Sequence, residues 1–266
     1  MPRLIPFRLA AACALALVLS AVVAIGASGA PSIATASKGV PVDLRVVGKG
    51  NKVLTEEDLS TGTIAVKTSP QATCFGAGTG GSGKSVTLRG ATALGALVQA
   101  SKSTASLRPL LVTDAFDFGL GICGVGSGKV SGKSSWALRV NHKVATVGGD
   151  AVKLKPGDEV LWALAPSYPY PNELALEAPE RADSGSAFQV TVVSYDEKGK
   201  RKPVAGATVR GGTEPVTTGS DGRASVTVSA TTAEYAPLTA THGKEIPAPT
   251  APVYICVPGS CAPPVK

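Results

Sequence analysis

Alternation of apolar and polar residues with period two dominates this chain. In residues 135–166, Trp136, Leu138 and Val140 alternate with Ala137, Arg139 and Asn141, and Val160, Trp162 and Leu164 repeat the pattern. Two strands follow from this, each with one face in a core, and both tryptophans of the chain point inward. Asn141-His142 and Gly148-Gly149-Asp150 are turn material, and Lys155-Pro156-Gly157-Asp158 places Pro and Gly at the centre of a type II turn. Upstream, residues 42–48, 63–67, 85–89 and 110–112 read as strands and 69–85 as a long Gly-rich loop. A helix is expected over residues 92–101: Leu94, Leu97 and Val98 fall at i, i+3, i+4, and Thr92 is available as N-cap, with Gly95 the weak point. Several strands crossed by one helix give an α+β layout of the β-grasp kind for residues 37–166.

A proline-rich stretch, residues 167–173, reads as a stiff linker. Beyond it, short alternating runs at 174–177, 188–195, 208–209, 224–228, 238–241 and 253–257, separated by turn residues, predict a β-sandwich over residues 174–266. The fold class expected is thus β-rich, an α+β β-grasp-like domain with one main helix followed by a sandwich.

The first residues change the picture of where the chain works. Arg3 and Arg8 precede an uncharged apolar run over residues 9–27, and Ala34-Thr35-Ala36 offers an A-x-A cleavage pattern, so residues 1–36 read as a signal peptide. An uncleaved membrane anchor is the alternative. The net charge is +7, but the lysines form no stripe interleaved with aromatics, which argues against nucleic acid; the densest cluster, residues 198–202, reads as a solvated hairpin tip. Four cysteines remain after the leader, Cys74, Cys123, Cys256 and Cys261. An even number in an exported chain suggests two disulfides, and of three possible pairings the local one, Cys74 to Cys123 and Cys256 to Cys261, is simplest. No C-x-x-C spacing supports a metal site.

Gly90 to Leu94 opening the helix, Ile122 to Gly126, Trp136 followed by Val140-Asn141, and Leu154 through Gly157-Asp158 to Trp162 resemble the transcobalamin-like C-terminal domain family, whose bacterial members are mostly exported proteins. The resemblance covers residues 42–166. It departs at the first hairpin turn, where the family carries Asn-Gly and this chain has His142 after Asn141, and at Ala137 and Arg139, which stand where aromatics are common. In vitamin carriers of this family such a domain closes over cobalamin held by a large helical barrel; this chain has no such barrel. In the second half, residues 203–209, Thr218 and Asp221-Gly222 before Ala224-x-Val226-x-Val228 are similar to bacterial immunoglobulin-like and carboxypeptidase-regulatory-like domains. That similarity implies a spacer or adhesive module.

Candidate chemistry is sparse. Gly78 to Ser85 (GTGGSGKS) matches the P-loop pattern formally, but the residues after Lys84 are β-branched and broken by Gly90, where a phosphate-binding loop needs a helix to start. His142 in a hairpin turn and His242 in the second half are the only histidines, and neither neighbours a Ser or Cys nucleophile. Asp114 and Asp117 read as a solvated loop pair, and Trp136 and Trp162 as core. The expectation is an exported, non-enzymatic protein without cofactor. Its β-grasp module would bind an extracellular ligand, corrinoid-like or other, or a cell-surface component; a structural or adhesive surface protein is the alternative. Membrane contact is expected only through an uncleaved signal segment.

Overall fold

The computed structural model describes residues 39–117 and 119–257; the expected leader over residues 1–36, and Cys261, lie outside them. The alternating segments of the first module become β1 (Val40–Val47), β2 (Val53–Thr61), β3 (Ile64–Lys67), β4 (Ser85–Leu88), the helix α1 (Ala93–Ser103), β5 (Leu110–Phe116), β6 (Gly119–Val125), β7 (Gly128–Lys129), β8 (Ser135–Val140), β9 (Lys143–Val144) and β10 (Asp158–Ala165). The main sheet runs β2-β1-β10-β8-β9. Its first and last long strands, β1 and β10, pair in parallel at the centre, and the other pairs are antiparallel. Strands β3-β4 and β5-β6-β7 form two smaller sheets.

The helix lies against one face of the main sheet. Leu94 and Leu97 join Leu44, Val46, Leu138, Val160 and both tryptophans in one core, and Trp136 and Trp162 are 8 % and 4 % exposed. The Thr92 hydroxyl accepts from the Gly95 amide at 3.0 Å. A Cβ on Gly95 would sit 2.9 Å from that hydroxyl, so the glycine that weakens the helix also makes room for its cap. The amides of Ala93 and Leu94 donate to the carbonyls of Val152 and Gly149, which closes the loop 148–152 over the helix start. Gly149 is fixed by sterics: a Cβ there would come within 2.6 Å of the Trp162 ring.

Strand β2 was not among the expected strands. Its Glu56-Glu57-Asp58 run shows no hydrophobic period, yet a charged strand is what a sheet edge carries to discourage further pairing. The hairpin turn before β9 has Asn141 at φ 49° and His142 at φ 67°. Both lie in the left-handed region that a two-residue type I′ turn requires, with histidine where glycine is the easy choice.

The second module comprises β11 (Glu173–Glu177), β12 (Arg181–Asp183), β13 (Ala187–Tyr195), β14 (Arg201–Pro203), β15 (Thr208–Arg210), β16 (Val216–Thr217), β17 (Arg223–Thr227), β18 (Glu234–Thr241) and β19 (Ala251–Cys256). One sheet is built on β13, paired with β11 on one edge and with β14 and β17 on the other; the second runs β12-β19-β18-β15-β16. Leu174, Val190, Val192 and Val226 from the first and Val209, Leu238, Val253 and Ile255 from the second share a core of their own, the two-layer arrangement of a sandwich. The hairpin tip at residues 198–202 is solvated as expected, with Lys198, Lys200, Arg201 and Lys202 exposed. The Val144 amide donates to the Glu197 carbonyl at 3.0 Å, so the residue just before the tip joins β9. Both modules belong to one compact unit, and a third apolar cluster, Val47, Leu161 and Ala163 with Ile246, lies where the far face of the main sheet meets the sandwich.

Cys74 and Cys123 are bonded, with Cα atoms 5.3 Å apart across a sequence separation of 49. Cys256 is buried in β19, and the bridge expected from it to Cys261 falls outside the described residues. Closing a loop of this length is worth about 4 kcal/mol on the chain-entropy account. A Cys74→Ser/Cys123→Ser double variant is therefore expected to lose up to that amount in denaturant titration. Gly149→Val overpacks the Trp162 contact and should cost about 1–3 kcal/mol, read as a lowered Tm with tryptophan emission shifted to the red.

Candidate functional site

The disulfide determines where Phe75 goes. Bonding Cys74 to β6 lays the next ring over that strand, where a Cβ on Gly121 would come within 2.7 Å of it. Phe75 meets Phe116 edge to face, with centroids 5.2 Å apart, and remains 49 % exposed. The same loop is tied down a second time by Asp114, whose carboxylate accepts from the Ser82 amide and hydroxyl, both at 2.6 Å. Those two bonds, the hydroxyl's foremost, hold its carboxyl below the usual carboxylate range. Asp114 thus belongs to β5 and anchors the Gly-rich loop, where the sequence suggested a solvated pair with Asp117. After Lys84 the chain enters β4, so backbone amides are not gathered there at the start of a helix.

Phe75 and the 57 % exposed Val147 stand at the rim of a groove of about 500 Å³ whose floor is Ile122, Trp136, Leu138 and Trp162, all buried. The Trp162 indole is fixed by donating to the Ala93 carbonyl at 3.2 Å. The Trp136 indole N–H is buried with no acceptor among the described residues, an arrangement that costs about 1–3 kcal/mol unless something accepts it. Tyr170, from the proline-rich linker, also lines the groove and is its one ionisable side chain. The groove therefore offers apolar and aromatic contact area, rigid from behind and open in front. Tryptophan periodicity pointed to its floor; Phe75, Val147 and Tyr170 were missed, because their roles depend on the disulfide and on which loops meet.

The opposite face of the main sheet carries charge that is not solvated. Arg45 donates through Nη2 to Glu173 Oε1 at 2.6 Å and through Nη1 to the Pro247 carbonyl. Arg139, 1 % exposed, donates to the carbonyls of His142, Asp196 and Pro171 at 3.1, 2.8 and 2.9 Å, tying β8 to the linker and the sandwich. His142 stacks on Tyr195 with centroids 3.8 Å apart and planes within 5°. Its Nδ1 lies 3.3 Å from Glu173 Oε2 and its Nε2 3.4 Å from Glu159 Oε2, ion-pair contacts rather than well-aligned hydrogen bonds. A cleft of about 390 Å³ opens beside them. There the register sets Asp58, Asp43 and Glu159 side by side across β2, β1 and β10. Burial, then the neighbouring Asp58 and Glu159 charges, push the Asp43 carboxyl up. Among the described residues no three His, Cys, Asp or Glu side chains form a metal-holding group. His242 pairs with Glu245 at 2.8 Å in the sandwich, far in sequence from His142.

The contact to Glu173 raises the His142 pKa above 6.5 against the opposing effect of burial, with Glu159 adding to the rise. Burial pushes Glu173 up, but His142, Arg45 and Arg139 outweigh it and hold its carboxyl below 4.5. The raised histidine contributes stability present below pH 6.5 and lost as pH rises through its folded pKa. The lowered glutamate contributes stability present above pH 4.5 and lost as pH falls through its own. Thermal stability is therefore expected to peak between these two values. In His142→Asn, which tolerates the left-handed turn, the decline on the alkaline side of the peak should flatten when Tm is followed against pH.

A family described as a domain of unknown function, DUF4430, the transcobalamin-like C-terminal family, matches residues 90–165. The match runs from the helix start through β10, so it includes both tryptophans and Val147 but neither Phe75 nor Tyr170. No curated protein and no solved structure is significantly similar to the chain.

Proposed function

We propose that this chain is an exported, non-enzymatic binding protein, that the aromatic groove of its β-grasp-like module holds the ligand, and that the second module, an immunoglobulin-like sandwich, presents that module as a spacer. The observation that carries the reading is the groove itself: exposed aromatic and aliphatic side chains at the rim, and a floor locked by the disulfide and by close glycine contacts. Large apolar area at an open concavity, with few polar groups to orient the occupant, is the physical profile of a small-molecule site. The lining supplies the Tyr170 phenol as its single ionisable group, too little for nucleophilic or acid–base chemistry. Export accords with the leader-like first residues and with the Cys74–Cys123 bond, since disulfides persist in oxidising compartments. Among the described residues no helix is long and apolar enough to cross a membrane.

The resemblance to vitamin-carrier domains makes corrinoids the first probes, followed by peptides and glycans. Binding in the groove should appear as calorimetric heat together with a change in tryptophan emission, and Phe75→Ala should weaken it about tenfold by removing a rim aromatic at little cost to the fold. Absence of heat and of any spectral change across that panel would favour the rival reading of a structural or adhesive surface protein.

A further inference from the structure

The sandwich loop between β18 and β19 runs along β1 of the first module. Ile246 packs on Val47, and Pro247 accepts from Arg45. The Thr250 amide donates to Glu56 at 3.2 Å. Toward the carboxyl ends of β1 and β10 the same loop brings Gly243 and Lys244 opposite Lys49, Gly50 and Asn51, with Lys129, Ser131 and Ser134 completing the walls of a cavity of about 500 Å³. Three exposed lysines from three segments and both modules thus line it, and the lining contains no carboxylate. None of the three ammonium groups is paired with a carboxylate of the described residues. Glu245, the nearest acid in sequence, is engaged by Asn172 at 3.3 Å and His242 at 2.8 Å.

The walls are held in place. Asn51 adopts φ 63°, a left-handed conformation that asparagine tolerates. Its Nδ2 donates to the Glu245 carbonyl at 2.7 Å, which stitches the β1–β2 turn to the sandwich loop. An anion placed among lysines that line a concave wall is attracted more strongly than on an open surface, because the walls focus the field.

We infer that this lysine-lined cleft between the modules is an anion site, taking a ligand that carries a phosphate or sulfate group. Lysine suits this: a compact cation on a flexible stem that neutralises a multivalent oxyanion without demanding the planar geometry of a guanidinium. The site is separate from the aromatic groove, shares no residue with it, and does not rest on the function proposed for it.

The test uses the full chain with two probes, inorganic pyrophosphate by calorimetry and phosphatidylglycerol vesicles by cosedimentation, with phosphatidylcholine vesicles as the neutral control. Lys49→Gln, Lys129→Gln and Lys244→Gln are each expected to weaken binding by about fivefold, as for loss of one partly exposed charge pair. The triple variant should abolish it. Unchanged far-ultraviolet circular dichroism and Tm will show that these solvent-exposed substitutions leave the fold intact, and Lys67→Gln and Lys102→Gln, outside the cleft, should leave binding as it was. Raising the ionic strength should weaken the interaction. Pyrophosphate binding that is lost in the triple variant supports the site with a free anion as its source. Vesicle binding without pyrophosphate binding, lost in the same variant, supports it with a lipid headgroup as the source. No binding of either probe, or binding that survives the triple variant, overturns the inference.

Discussion

The second face of the main sheet is the constraint on which the rest of this structure depends. Arg45 and Arg139 occupy central strands, and neither has water to turn to, being 7 % and 1 % exposed. An ionised side chain out of water must be paired and hydrogen-bonded or the fold does not hold, and removing one member of such a set typically costs about 3–5 kcal/mol. Every partner but one lies outside the β-grasp module: Glu173, Pro171, Asp196 and Pro247 belong to the linker and the sandwich, and the His142 carbonyl alone is local. The first module cannot satisfy its own arginines. The sandwich is therefore the other half of a buried polar network, and the 2.6 Å Arg45–Glu173 pair fixes the first residue of β11 against the middle of β1.

From that network the distribution of charge along the junction follows. The loop between β18 and β19 is held over β1 by Ile246 and by the Arg45 contact, and two separate cavities of opposite character lie along it. Near the start of β1 and β10 the register lines up Asp58, Asp43 and Glu159; beyond their far ends Lys49, Lys129 and Lys244 line the second cavity. Neighbouring like charges on adjacent strands weaken a sheet, and here they persist beside an apolar patch and a hydrogen-bonded core that compensate for them. His142 concentrates this economy in one residue. It pays for a left-handed backbone with a stacked Tyr195 ring and two carboxylate contacts.

The aromatic groove is governed by a different constraint, the covalent one. Without the bond to Cys123, Phe75 belongs to a glycine-rich loop with no regular structure of its own. With it, and with Asp114 holding Ser82, the ring is placed over Gly121, and Val147 opposes it from the loop that also caps α1. The same loop shapes both core and surface, because Gly149 admits the Trp162 ring from behind while Val147 faces outward.

The alternation of Trp136, Leu138, Val140, Val160, Trp162 and Leu164 specified strands β8 and β10, and the Thr92 cap with Leu94, Leu97 and Val98 specified α1, since these signals arise from neighbours in the chain and from one buried face. Six of the nine sandwich strands were legible for the same reason, the short β12, β14 and β16 being missed, and the Cys74–Cys123 pairing was legible from count and proximity. Strand β2 was hidden by Glu56-Glu57-Asp58, since an edge strand in water carries no hydrophobic period. Arg139 reads as a solvent-facing position of a half-buried strand; a sequence records that a face is polar, but not that a second module will cover it. The cross-module pairing of His142 and the lysine cleft both depend on segments more than thirty residues apart meeting in space. Local pattern thus determined most of the strands and the cores of the two modules, and only tertiary packing decided which polar faces were buried, which charges line one cavity, and where the chain left room for something else.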